Sequence, residues 1–86
     1  MKRISKHISY KEATHSDHAN KYNIANKPKA QDIENMETLA KEVFEPLREW
    51  VKAPIKVNSM FRSFDLNTGI GGSATSSHMT GNAIDI

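Results

Sequence analysis

The segment Ser76-Ser77-His78-Met79-Thr80-Gly81-Asn82-Ala83-Ile84-Asp85-Ile86 decides how the rest of the chain is read. It sets an imidazole and a carboxylate on either side of a glycine that permits a turn. A histidine ahead of such a turn folds back over the strand that follows, and its ring then meets the carboxylate about two pleats along. The small Ala83, one pleat before Asp85 on the same face, leaves room for an ion or a substrate. A neutral imidazole and an ionised carboxylate are both good zinc ligands. Two ligands alone make a poor site, and spacing by itself leaves open a surface histidine bonded to a loop beside an aspartate in an ordinary ion pair.

Outward from this segment, residues 82–86 predict a strand with Ile84 and Ile86 on its apolar face and Ala83 and Asp85 on the other. Residues 69–77 form a Gly- and Ser-rich loop, and Gly71-Gly72 without a following Gly-Lys-Ser/Thr is no phosphate loop. Ser63-Phe64-Asp65-Leu66-Asn67 predicts a short capped helix. Residues 55–62 alternate, with Ile55, Val57, Ser59 and Phe61 on one face and Lys56, Asn58, Met60 and Arg62 on the other, as in a strand.

Before that strand, Ile33, Met36, Ala40, Val43, Phe44, Leu47, Trp50 and Val51 recur at helical spacing and predict one amphipathic helix over residues 30–52. Asp32 and Glu34 in its first turn and Arg48 and Lys52 in its last complement the helix dipole, and Pro54 forbids continuation. Pro46 lies inside the pattern and predicts a kink or break near Phe44-Glu45. Further upstream, Ser9-Tyr10-Lys11-Glu12 has the spacing of a capping box, and Ser16-Asp17 caps a second short helix that Asn23, Asn26 and Pro28 bring to an end. His15 and His18 lack a zincin glutamate, so they and His7 read as exposed polar-face histidines.

Eighty-six residues allow one domain, and the absence of cysteine leaves any metal to His and carboxylates. Twelve Lys and Arg against ten Asp and Glu give a net charge of +2 with the signs interspersed, a weak basis for binding nucleic acid. No apolar run is long enough for a membrane span. Met1-Lys2-Arg3-Ile4-Ser5-Lys6-His7 lacks the apolar stretch of a secretory signal, and synthesis in the cytoplasm is expected.

The pattern Ser76-x-His78-x-x-Gly81-x-Ala83-x-Asp85 resembles the S-x-H-x-x-G-x-A-x-D signature of the zinc D-Ala-D-Ala peptidases, which share the hedgehog/DD-peptidase fold. Asn58-Ser59-Met60-Phe61-Arg62-Ser63 is similar to the family's S-G-Y-R-S strand end, and Leu66-Asn67 to the L-N that follows. Ser9-Tyr10-Lys11-Glu12-Ala13-Thr14-His15-Ser16 resembles the helical lead-in of phage endolysin-like and bacterial cell-wall members. The resemblance implies an α+β fold in which short N-terminal helices and one long helix pack on a small antiparallel sheet; the helix's apolar stripe needs a facing layer, so Leu47 and Trp50 are expected to face residues 55–61 and 82–86.

For the site, the resemblance implies that His78 and Asp85 are two of three ligands to one Zn2+, that Ser76 supports them, that Asn67 is a supporting or substrate-binding residue, and that Arg62 faces the substrate as a catalytic cation. Met60, where the family usually has Gly, is expected to reshape the pocket wall, and Phe61, where Tyr is common, removes a hydroxyl. The family's third ligand, a His in a W-x-H strand, and its acidic general base lie downstream of the Asp. The chain therefore reads as a domain with its C-terminal part missing, inactive alone. The function implied is a carboxypeptidase or endopeptidase cutting peptidoglycan stem peptides, reaching the wall by release or another export route. The alternative is a module of the same fold that binds wall peptides without cleaving them. Neither nucleic acid nor membrane is an expected partner, and an exposed strand edge offers self-association.

Overall fold

The computed structural model describes residues 3–86; Met1 and Lys2, the start of the segment read as lacking a secretory signal, lie outside the described residues. The helices are α1 (Tyr10–Thr14), α2 (Asp17–Tyr22), α3 (Ala30–Leu39), α4 (Glu45–Val51) and α5 (Phe64–Gly69), with a π-helical turn at Ala40–Phe44 and a 3-10 turn at Ser77–Thr80. Among the described residues no helix is long and apolar enough to cross a membrane.

The short helices start where local chemistry dictates. Ser9 accepts from the Glu12 amide while the Glu12 carboxylate accepts from the Ser9 amide, so two otherwise orphaned N–H groups are satisfied at once. Ser16 caps α2 through the Ala19 amide, and Ser63 caps α5 through the Leu66 amide. Asn23 ends α2 in the left-handed conformation that Asn tolerates.

Pro46 interrupts the long helix as its geometry requires. It has no amide hydrogen, and its ring would press on the carbonyl four residues back in a regular α-helix. The preceding turn widens instead, with the Glu45 amide bonding to the Ala40 carbonyl five residues earlier. Each residue of an α-helix advances by about 100°, so the extra residue in that turn rotates everything after it off the core face. Met36, Ala40 and Phe44, up to the end of that turn, are buried, whereas beyond it Val51 is exposed and Trp50 is 81% exposed. The expectation that Trp50 faces residues 55–61 and 82–86 is corrected: α4 fully buries none of its residues.

The antiparallel sheet expected from the alternation is also corrected. Among the described residues there is no β-strand, and residues 55–61 and 82–86 meet at one bridge, Ser59 with Asp85. The backbone shows why a ladder does not propagate. Asp85 exchanges hydrogen bonds with Ser59, but the Phe61 amide turns to the Ala13 carbonyl and the Arg62 amide to the His78 carbonyl. Three different partners share the polar groups that a single neighbouring strand would have taken. Strict alternation fails with it, because Met60 and Phe61 are adjacent and both buried.

One hydrophobic core joins Ile4, Ile8 and Ala13 to Met36, Ala40, Phe44, Val57, Met60 and Phe61, with Ile33, Leu39, Ile55 and Ile84 packed at its margin. Met60 is thus core rather than pocket wall. Glu45 fastens the N-terminal turn to the helix by accepting from the Ser5 hydroxyl and the His7 amide, and its Oε1 lies 2.6 Å from His7 Nδ1. His7 is half-buried in that contact, not the exposed polar-face histidine its context suggests.

Candidate functional site

The 3-10 turn Ser77–Thr80 carries His78 inward. Ser76 Oγ accepts from the His78 amide at 3.2 Å, and Gly81 closes the turn in the left-handed conformation at φ +78°. That glycine is required for two reasons. A side chain would be strained at this φ, and a Cβ would run into the Asp32 carbonyl and stand 2.9 Å from Met36 Cγ. Asn35 Nδ2 donates to the Thr80 carbonyl at 2.8 Å, so α3 and the turn are locked side by side.

His78 is 9% exposed, and its ring is held from the backbone. Nδ1 lies 2.7 Å from the Met60 carbonyl oxygen, which can only accept, so the ring proton sits on Nδ1. In the neutral ring this leaves the Nε2 lone pair pointing outward, where Asp85 Oδ2 stands 3.4 Å away. The Asp85 carboxylate is 55% exposed and open to a ligand. The Ser59–Asp85 bridge fixes its backbone. Arg62 completes the group: Nε donates to Ser59 Oγ at 3.1 Å and Nη2 approaches Asp85 Oδ2 at 3.3 Å.

With the ring neutral, Nε2 and the carboxylate oxygen are two electron-pair donors facing each other, an arrangement that fits a cation. A tetrahedral ion with ligand distances of about 2.0–2.2 Å sets two ligand atoms about 3.3–3.6 Å apart, a range that includes the 3.4 Å between His78 and Asp85. A carbonyl behind the distal ring nitrogen is also the usual support of a metal-binding histidine. Among the described residues no third His, Cys, Asp or Glu joins them.

The structure therefore brings together His78, Asp85 and Arg62, with Ser76 supporting the turn. It places Asn67 elsewhere. Asn67 is 1% exposed on α5, and its Nδ2 donates to the Ser73 carbonyl at 2.7 Å. Its Oδ1 is buried against Gly72, where a Cβ would collide with it, so Asn67 holds the Gly-rich loop. Asn26, read from sequence as loop chemistry alone, is the organiser that reading missed. Its Nδ2 donates to the carbonyls of Thr14 and Phe61, and its Oδ1 accepts from the Ser63 amide at 2.7 Å. Only the run of asparagines around Pro28 hinted at it.

His78, with one ring nitrogen anchored and the other facing the Asp85 carboxylate, thus lies beside the tethered Arg62 guanidinium. The Peptidase M15 family model matches residues 6–86. The chain belongs to that family, a zinc-dependent group of the D-Ala-D-Ala carboxypeptidase type. No curated protein and no solved structure matches it.

Proposed function

We propose that the chain supplies the ligand pair and the substrate-facing cation of a zinc peptidase acting on peptidoglycan stem peptides, as a carboxypeptidase or endopeptidase. The observation that carries this reading is the convergence of His78 Nε2 and Asp85 Oδ2 at 3.4 Å, within a family match that includes both residues. His78 and Asp85 would hold the zinc. When bound, zinc supplies Lewis acidity to a scissile carbonyl and a lowered pKa to water. The Met60 carbonyl keeps the proton on Nδ1 and so keeps Nε2 available. Ser59 and Asp85 tether Arg62 at Nε and Nη2, and its other N–H groups are free to meet a peptide carboxylate or a developing oxyanion.

That only two metal-type donors converge among the described residues favours a second reading, a module that binds wall peptides without cutting them. Calorimetric zinc titration alongside hydrolysis of D-Ala-D-Ala and cross-linked muropeptides separates the two. The first reading expects one zinc per chain, weaker than about micromolar with two protein ligands, and lost in His78→Ala. Peptide binding that is indifferent to zinc and to His78→Ala supports the second.

A further inference from the structure

Two side chains of the candidate site converge on one oxygen atom of a third. Asp85 Oδ2 lies 3.4 Å from His78 Nε2 and 3.3 Å from Arg62 Nη2. The oxygen that a metal ion would share with His78 is therefore the same oxygen that a guanidinium already approaches.

Arg62 cannot withdraw as a whole. Its amide donates to the His78 carbonyl at 3.0 Å, its Nε donates to Ser59 Oγ at 3.1 Å, and Ser59 exchanges backbone hydrogen bonds with Asp85. The side chain is only 20% exposed, so the part left to move is the outer end of the guanidinium. That end has somewhere to go. Arg62 and Ser59 also line a cleft of about 190 Å³ between the turn joining α1 to α2 and residues 58–62.

Two cations on one carboxylate oxygen repel each other, and the repulsion scales with the product of their charges. A guanidinium held at Nε is a stronger competitor than a freely swinging ammonium, because its planar fork is already oriented and loses little freedom in the contact.

We infer that Arg62 is a built-in competitor for the metal-facing oxygen of Asp85: its guanidinium lowers the affinity of the His78–Asp85 pair for a divalent cation and turns Nη2 toward the cleft when a cation takes Oδ2. The inference rests on the zinc-site reading above and adds the regulation of that site. By linkage, an anion held by the released N–H groups strengthens cation binding by the same factor as the cation strengthens anion binding. Arg62 thus makes metal loading and readiness for an anionic ligand rise together.

The test compares calorimetric zinc dissociation constants of the parent chain and of Arg62→Gln, each repeated with His78→Ala to fix the site. Removing one positive charge beside a divalent ion at a partly exposed position should tighten zinc binding about three- to tenfold. An Arg62 that serves only to orient Asp85 would instead weaken binding when lost. A second measurement needs no substitution at Arg62. In side-chain NMR spectra of the parent chain, zinc should speed rotation about the Arg62 Nε–Cζ bond as Nη2 leaves Oδ2, while the Nε–H signal keeps its shift because Ser59 still holds it. Zinc affinity that is unchanged or weaker in Arg62→Gln, or rotation that zinc leaves unaltered, overturns the competition, while loss of zinc in His78→Ala still supports the zinc-site reading. No His78-dependent zinc binding in either form overturns both.

Discussion

The Nδ1 atom of His78 lies 2.7 Å from the carbonyl oxygen of Met60, so a residue of the hydrophobic core fixes which nitrogen of the candidate metal ligand is available. His78→Ala is expected to do two separable things. It leaves a buried carbonyl without its partner, costing about 1–3 kcal/mol in urea unfolding. It also removes zinc binding. Asp85→Asn, at an exposed carboxylate, should weaken zinc binding with a stability change of less than about 1 kcal/mol.

Gly81→Ala should be more damaging than its size suggests. The added Cβ meets the Asp32 carbonyl, and φ at this position is +78°. The left-handed strain alone is on the order of 1–3 kcal/mol, and the overlap with α3 adds to it. Thermal unfolding should show the loss, and the His78 ring resonances should shift as the turn pulls away from α3.

Asn26→Ala tests the organiser that sequence reading overlooked. Three backbone groups, the carbonyls of Thr14 and Phe61 and the amide of Ser63, lose their side-chain partner together. A cost of about 1–2 kcal/mol is expected, since three part-buried hydrogen bonds are exchanged for bonds to water. Hydrogen exchange should quicken around residues 61–66 before it does in α3.

Glu45 sets part of the acid sensitivity. Burial alone would raise its pKa, but the Ser5 hydroxyl, the His7 ring and amide and the charge on His7 together bring it below the ordinary value of 4.5. A folded value below the unfolded one means that protonation favours unfolding. The contribution is fully present above the ordinary carboxylate value and is lost as pH falls through the folded value. Glu45→Gln should cost about 1–2 kcal/mol near neutral pH, and the gap to the parent chain should close in denaturant titrations as pH falls below the ordinary carboxylate value and through the lowered folded one.

What the sequence made legible follows from how local each signal is. The caps at Ser9, Ser16 and Ser63 depend on three or four neighbouring residues and stand where the pattern puts them. Pro46 announced its own break, but not that the break would be a π turn, so the stripe drawn through Leu47 and Trp50 continued a register that the chain abandons after Phe44. The alternation at residues 55–62 predicted a strand that does not form beyond the Ser59–Asp85 bridge, because pairing is decided by Ala13, His78 and Asp85, which lie far away in sequence. The ten-residue span from Ser76 to Asp85 carried the site because a turn and one bridge suffice to close it. Asn67 and Asn26 show the limit: an asparagine's partners are set by tertiary contacts that no spacing records.

The account depends on one claim, that His78 presents Nε2 beside Asp85 as a metal ligand while Nδ1 stays bonded to Met60. Long-range 1H–15N spectra of the imidazole rings, recorded through a zinc titration, read this atom by atom. The account predicts that the His78 Nε2 resonance moves with zinc while its Nδ1 keeps the shift of a protonated nitrogen, and that Asp85→Asn weakens the response. A response confined to His7, His15 or His18, or metal bound at Nδ1 of His78, would contradict it.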